Sequence, residues 1–74
     1  MIVPAQIRAA RALIEWTQAE LAAASGLSEM SIKNIERGFT DPRVSTLSAI
    51  IRALEAEGIE FTNGDAPGVK IKPR

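Results

Sequence analysis

The chain has 74 residues, enough for one domain and too few for two, and a core of that size supplies only roughly 3 to 5 kcal/mol. Hydrophobic residues make up 46% and charged ones 24%, with no low-complexity run, which excludes a disordered tail and describes a soluble globular domain. Nine basic side chains balance nine acidic ones to a net charge of +0, which counts against a strong non-specific hold on nucleic acid, while the absence of cysteine and histidine removes disulfides, thiolate chemistry and the commonest metal ligand and general base.

Pro4 suits a first helical turn, and from Ala5 the run QIRAARALIEW has high helix propensity, with Ile7, Ala10 and Ile14 recurring on one side. Leu13 and Trp16 are expected to close the joint with the next helix. A lone tryptophan beside a helix junction is more often core than a stacking platform for a base. Arg8 and Arg11 lie on nearly adjacent faces of this helix.

The second helix begins at Thr17, whose hydroxyl can accept a backbone N–H while Glu20 reaches back to complete a capping box. Leu21 and Ala22 face inward. The small Ala22 lets a following helix cross close by, Gly26 supplies the positive φ that ends the helix, and Leu27 can plug the corner.

Ser28 is a good N-cap for the third helix, with Ser31 in its first turn, and Gly38 is a good C-terminal stop. With about 100° between successive residues, Ile32 and Ile35 share one side, flanked by Ser31 and Glu36. Glu29, Met30, Lys33, Asn34 and Arg37 gather on the other. That outward side is chemically mixed, as a helix in the DNA major groove must be, since base edges offer donors, acceptors and methyl groups. By itself the face is more readily that of an ordinary surface helix, with Glu29 and Lys33 as a weak i,i+4 ion pair and Met30 merely exposed.

After Gly38, the segment FTDPR is a loop, because Asp41-Pro42 disfavours helix at the aspartate and sets a turn; Phe39 is expected to fold back on the core. From Val44, Leu47, Ile50, Ile51 and Leu54 show the spacing of an amphipathic helix that Gly58 stops. Arg52, Glu55 and Glu57 form its solvated face. The tail then alternates: Ile59, Phe61, Val69 and Ile71 fall on one face of a hairpin whose turn is Asn63 to Gly68. Two strands alone are marginal in water, so that face needs cover from the last helix or from a second chain.

The spacing of the central unit resembles a known family. Counting Gln18 as first, Ala22 is fifth, Gly26 ninth, Ile32 fifteenth and Ile35 eighteenth, and Glu36-Arg37-Gly38 ends the unit. This resembles the helix-turn-helix of the phage Cro and repressor family, also called the XRE family, and the LEAEGIEF…GVKI ending resembles very short bacterial members of it. The resemblance implies a mainly α fold: a compact four-helix, lambda-repressor-like domain over residues 1–58, followed by a small β-hairpin or strand arm over 59–74. It implies that Arg11 pairs with Glu36 through a planar two-bond grip, locking one helix across another. It implies phosphate contacts by Gln18, Ser28, Arg37, Thr40 and Arg43, and base contacts by Glu29, Met30, Lys33 and Asn34. Glu29 departs from the family, where many relatives carry glutamine, serine or arginine.

The expected function is therefore sequence-specific transcription regulation, as a repressor, by a homodimer on a two-fold operator with half-sites roughly 34 Å apart. A different class of reading is a protein-interaction module, such as an antitoxin-like subunit whose hairpin at 59–74 grips a partner protein. An enzyme is not expected: there is no histidine, cysteine or phosphate-cradling glycine loop, and no cofactor or metal is implied. No apolar run approaches the roughly 20 residues that span a bilayer, and MIVPAQIRAARAL lacks the order of a signal peptide, so a cytoplasmic location is expected.

Overall fold

A computed structural model describes residues 2–73. Helix α1 (Pro4–Leu13) carries proline in its first turn, and the Gln6 side chain reaches back to accept the Val3 N–H at 2.8 Å. It ends sooner than the propensity run suggests. Ile14 leaves the helix and Glu15 takes φ +57, so that the Trp16 N–H donates to the Arg11 carbonyl at 2.9 Å and the Glu15 N–H to the Ala12 carbonyl at 3.2 Å. This pair of bonds is a Schellman ending, with glutamate where glycine is usual. As a result Leu13, expected at the helix joint, faces outward at 43% exposure, while Ile14 and Trp16 pack on the core.

Helix α2 (Gln18–Ser25) starts at a complete capping box: the Glu20 N–H donates to Thr17 Oγ1 at 3.1 Å and the Thr17 N–H to Glu20 Oε1 at 3.0 Å. Gly26, at φ +75, ends it and turns the chain into α3 (Glu29–Glu36), where the Ser31 N–H donates to the Ser28 hydroxyl at 3.1 Å. Gly38, also at φ +75, closes α3 in the same manner as Glu15 closes α1, with the Phe39 N–H reaching the Asn34 carbonyl at 3.1 Å. That turn carries Phe39 away from the interior. The ring is 71% exposed, against the expectation that it folds back, and the Arg37 guanidinium lies 5.8 Å from its centroid.

Helix α4 (Val44–Glu55) completes the bundle, and its Leu47, Ile50 and Leu54 join Ile7, Ala10, Leu21, Ile32 and Ile35 in one buried core. Ala22, 5% exposed, belongs to the same core. The tail forms β1 (Ile59–Asn63) and β2 (Pro67–Ile71), antiparallel and paired within the chain, with Ile59 opposite Ile71 and Phe61 opposite Val69. Its apolar face is covered by α4 next to β1 and, more extensively, by α1 next to β2.

One buried polar side chain fastens that cover. Gln6 is 3% exposed, and its amide nitrogen faces the Thr62 carbonyl at 3.2 Å, the Gly68 carbonyl at 3.0 Å and Asn63 Oδ1 at 3.3 Å. Gln6→Leu keeps the volume but removes these bonds, leaving the Thr62 and Gly68 carbonyls only their partners across the ladder. Each lost hydrogen bond costs about 0.5 to 1.5 kcal/mol, so the hairpin amides should exchange with solvent faster while those of α2 and α3 keep their protection. Native-state hydrogen exchange checks this.

Candidate nucleic-acid interface

Helix α3 is gripped from behind. Ile32 and Ile35 are buried, and Glu36, at the helix end, is only 2% exposed. Arg11 crosses from α1: its Nε donates to Glu36 Oε2 at 2.6 Å, Nη2 to Glu36 Oε1 at 2.7 Å, and Nη1 to the Trp16 carbonyl at 2.9 Å. Gln18 Nε2 donates to the same Oε1 at 3.1 Å, and Arg8 Nη1 donates to the Glu36 backbone carbonyl. One carboxylate thereby ties together α1, the start of α2 and the end of α3.

The hydrogen bonding to Glu36 raises the Arg11 pKa; desolvation opposes it and the coulombic attraction adds to it. A folded value above the unfolded one means that this stabilisation is complete below the ordinary arginine range and is lost only as pH rises through the folded value. The lock does not respond to physiological pH through Arg11.

The opposite side of α3 is open. Glu29 and Arg37 are exposed, Met30 is 61% exposed, and Lys33 and Asn34 are half-buried. Glu29 sits in the first turn, where the helix dipole favours a negative charge, and Lys33 near the end, where it favours a positive one. Ser28 is exposed, and its hydroxyl donates to Ser31 Oγ at 2.9 Å while accepting the Ser31 N–H. Between this face and the loop before α4 runs a groove lined by Ser31, Asn34, Thr40, Asp41, Arg43 and Thr46. Asn34, Thr40 and Arg43, distant in the chain, are thus brought to one surface.

Gln18 is placed differently: it is half-buried with one amide N–H committed to Glu36. Ser31 and Thr46 join this groove from outside the set of residues expected to bind; Ser31 lies one helical turn before Asn34, a position that helical periodicity places beside it. The role of Arg8 had none, because a side chain reaching a carbonyl at the end of another helix leaves no periodicity. Among the described residues no group of histidine, cysteine, aspartate or glutamate has the arrangement of a metal site, and no helix is long and apolar enough to cross a membrane.

A family model described as helix-turn-helix matches residues 7–61, spanning α1 through β1. The chain belongs to the XRE-type helix-turn-helix family. A relative in Sinorhizobium fredii (strain NBRC 101917 / NGR234), the uncharacterized HTH-type transcriptional regulator y4dL, is 44% identical over 52 residues. That match covers 70% of this chain and 26% of the relative, so the chain spans about a quarter of the protein it matches.

Proposed function

We propose that the chain is a DNA-binding transcription regulator, acting as a repressor and as a dimer on a two-fold operator, with α3 in the major groove. The observation that carries this reading is the two-sidedness of α3: a back fixed by Ile32, Ile35 and the Glu36 lock, and a front of mixed donors, acceptors and one thioether left open. The XRE-type match and a relative named as an HTH-type transcriptional regulator support it.

In this reading Lys33 suits guanine acceptors, Asn34 adenine, Glu29 a cytosine amine and Met30 a thymine methyl. Gln18, Ser28, Arg37, Thr40 and Arg43 position the domain on phosphates, and the loop groove beside Asn34 admits one strand of backbone. Balanced net charge limits the number of such contacts, so the salt dependence of binding should be shallow.

A mobility-shift assay with the DNA upstream of the chain's own gene, at two salt concentrations and beside scrambled DNA, tests the reading. Lys33→Ala and Asn34→Ala should each weaken specific binding by about 1 to 3 kcal/mol and leave scrambled DNA and the melting temperature unchanged. Equal loss on both DNAs would show that these residues hold phosphates and do not read bases.

A further inference from the structure

The hairpin is a two-stranded sheet, so each strand keeps one edge without a neighbouring strand. Which backbone groups β2 shows at its edge follows from the register. The Lys72 N–H donates to the Gly58 carbonyl at 2.8 Å, continuing the β1–β2 pairing by one step. Bonded pairs alternate along an antiparallel ladder, so Lys70 and Gly68 turn their groups toward β1, whereas Pro67, Val69, Ile71 and Pro73 turn theirs away. Pro67 and Pro73 have no N–H. Between them the outward donors of β2 are those of Val69 and Ile71.

Beside β2 a groove of about 200 Å³ lies between Pro67, Gly68 and Val69 and, on the other side, Val3 with Ala5, Gln6 and Ala9 of α1. Ala5, Ala9 and Ala12 are exposed, and Ile71, on the apolar face, is 42% exposed. A lone edge of this kind is a template for another strand, and the two prolines confine it to a short segment.

We propose that this edge of β2 pairs antiparallel with the same edge of a second copy, in a register centred on Val69. The occupant is set by self-complementarity. With Val69 opposite Val69, each Val69 N–H meets the other copy's Val69 carbonyl and each Ile71 N–H meets a Pro67 carbonyl, so every outward donor between the prolines is satisfied. Charge selects this register over its neighbour. Centring on Lys70 would set that lysine against its own copy, whereas centring on Val69 sets Lys70 opposite Gly68 and brings Lys72 opposite Ala66, beside the other copy's Asp65. Lys70 stays with Glu60 of its own chain, 3.5 Å away on the outer face. On the inner face Ile71 covers Pro67 of the other copy, and the small side chains of α1 let the two copies approach. The contact is isologous, as a two-fold requires.

This gives a surface to the dimer and rests on that part of the proposed function, but its test needs no DNA. Because the chain has no cysteine, a single one reports position cleanly. Under mild oxidation Val69→Cys should form a disulfide-linked dimer on a non-reducing gel, while Lys70→Cys and the exposed α2 variant Ala24→Cys should give little. In sedimentation analysis the unmodified chain should run at the mass of two chains, and Ala9→Glu, which fills the groove from an exposed helix position, should run as one with an unchanged helical circular dichroism spectrum. A dimer that survives Ala9→Glu with no Val69→Cys cross-link overturns the β2 surface and leaves the dimer standing. A chain that is monomeric at all concentrations overturns both, and DNA binding by the single domain is then judged by the mobility assay.

Discussion

Arg11→Ala should lower the melting temperature by more than ten degrees. Its partner Glu36 is 2% exposed and receives two of its bonds from this one guanidinium, at 2.6 and 2.7 Å. Removing one member of a buried pair strands the other, at about 3 to 5 kcal/mol. In a domain of this size each kcal/mol moves the midpoint by roughly 4 to 8 °C. A core of 74 residues supplies a total of roughly the same size, so much of the chain would be unfolded at room temperature. Arg11→Lys should recover only part of the loss, since an ammonium cannot bond both carboxylate oxygens and the Trp16 carbonyl in one plane. Thermal melts of the three proteins decide the matter; an unchanged midpoint for the alanine variant would show that Glu36 is satisfied without it.

Ile32→Ala should act as strongly by a different route. Ile32 lies in the middle of α3 with 0% exposure, and truncating a buried isoleucine costs about 2 to 5 kcal/mol through lost transfer energy and an unfilled cavity. The comparison with Lys33→Ala, one residue on, is informative because the two sites share a backbone but lie on different sides of the helix. Ile32→Ala should lose stability and, with it, binding to every DNA; Lys33→Ala should lose only discrimination. Denaturant unfolding of Ile32→Ala beside its DNA titration separates the two effects. Full stability in this variant would mean that α3 is not held by its apolar side.

Much of the fold could be read from the chain because its signals are local. Thr17 with Glu20, Ser28, Gly26 and Gly38 each act on backbone groups within a few residues, and they set the ends of α2 and α3. The periodicity of Ile32 and Ile35 likewise separated the buried side of α3 from its open side. Departures arose where a distant partner or a turn decides. Helix α1 stops at Leu13 although its propensity continues, because Glu15 adopts a left-handed turn and Arg11 reaches forward to the Trp16 carbonyl. Phe39 is carried outward by Gly38, and a ring beside an arginine loses little by staying there. At the candidate site the outward residues of α3 were legible, but the groove that joins Asn34 to Thr40, Arg43 and Thr46 depends on a loop path that no local pattern encodes.

The bonds from Gln6 to Thr62, Asn63 and Gly68 join positions 56 to 62 apart in the chain. Closing a loop of that length costs more chain entropy than closing the short ones between neighbouring helices. Opening of the hairpin breaks these bonds at the Gln6 end of α1, while the Arg11–Glu36 tie further along that helix stays in place. In the proposed reading, such an opening leaves α2 and α3 assembled for DNA, while the β2 edge proposed to meet a second copy is briefly withdrawn.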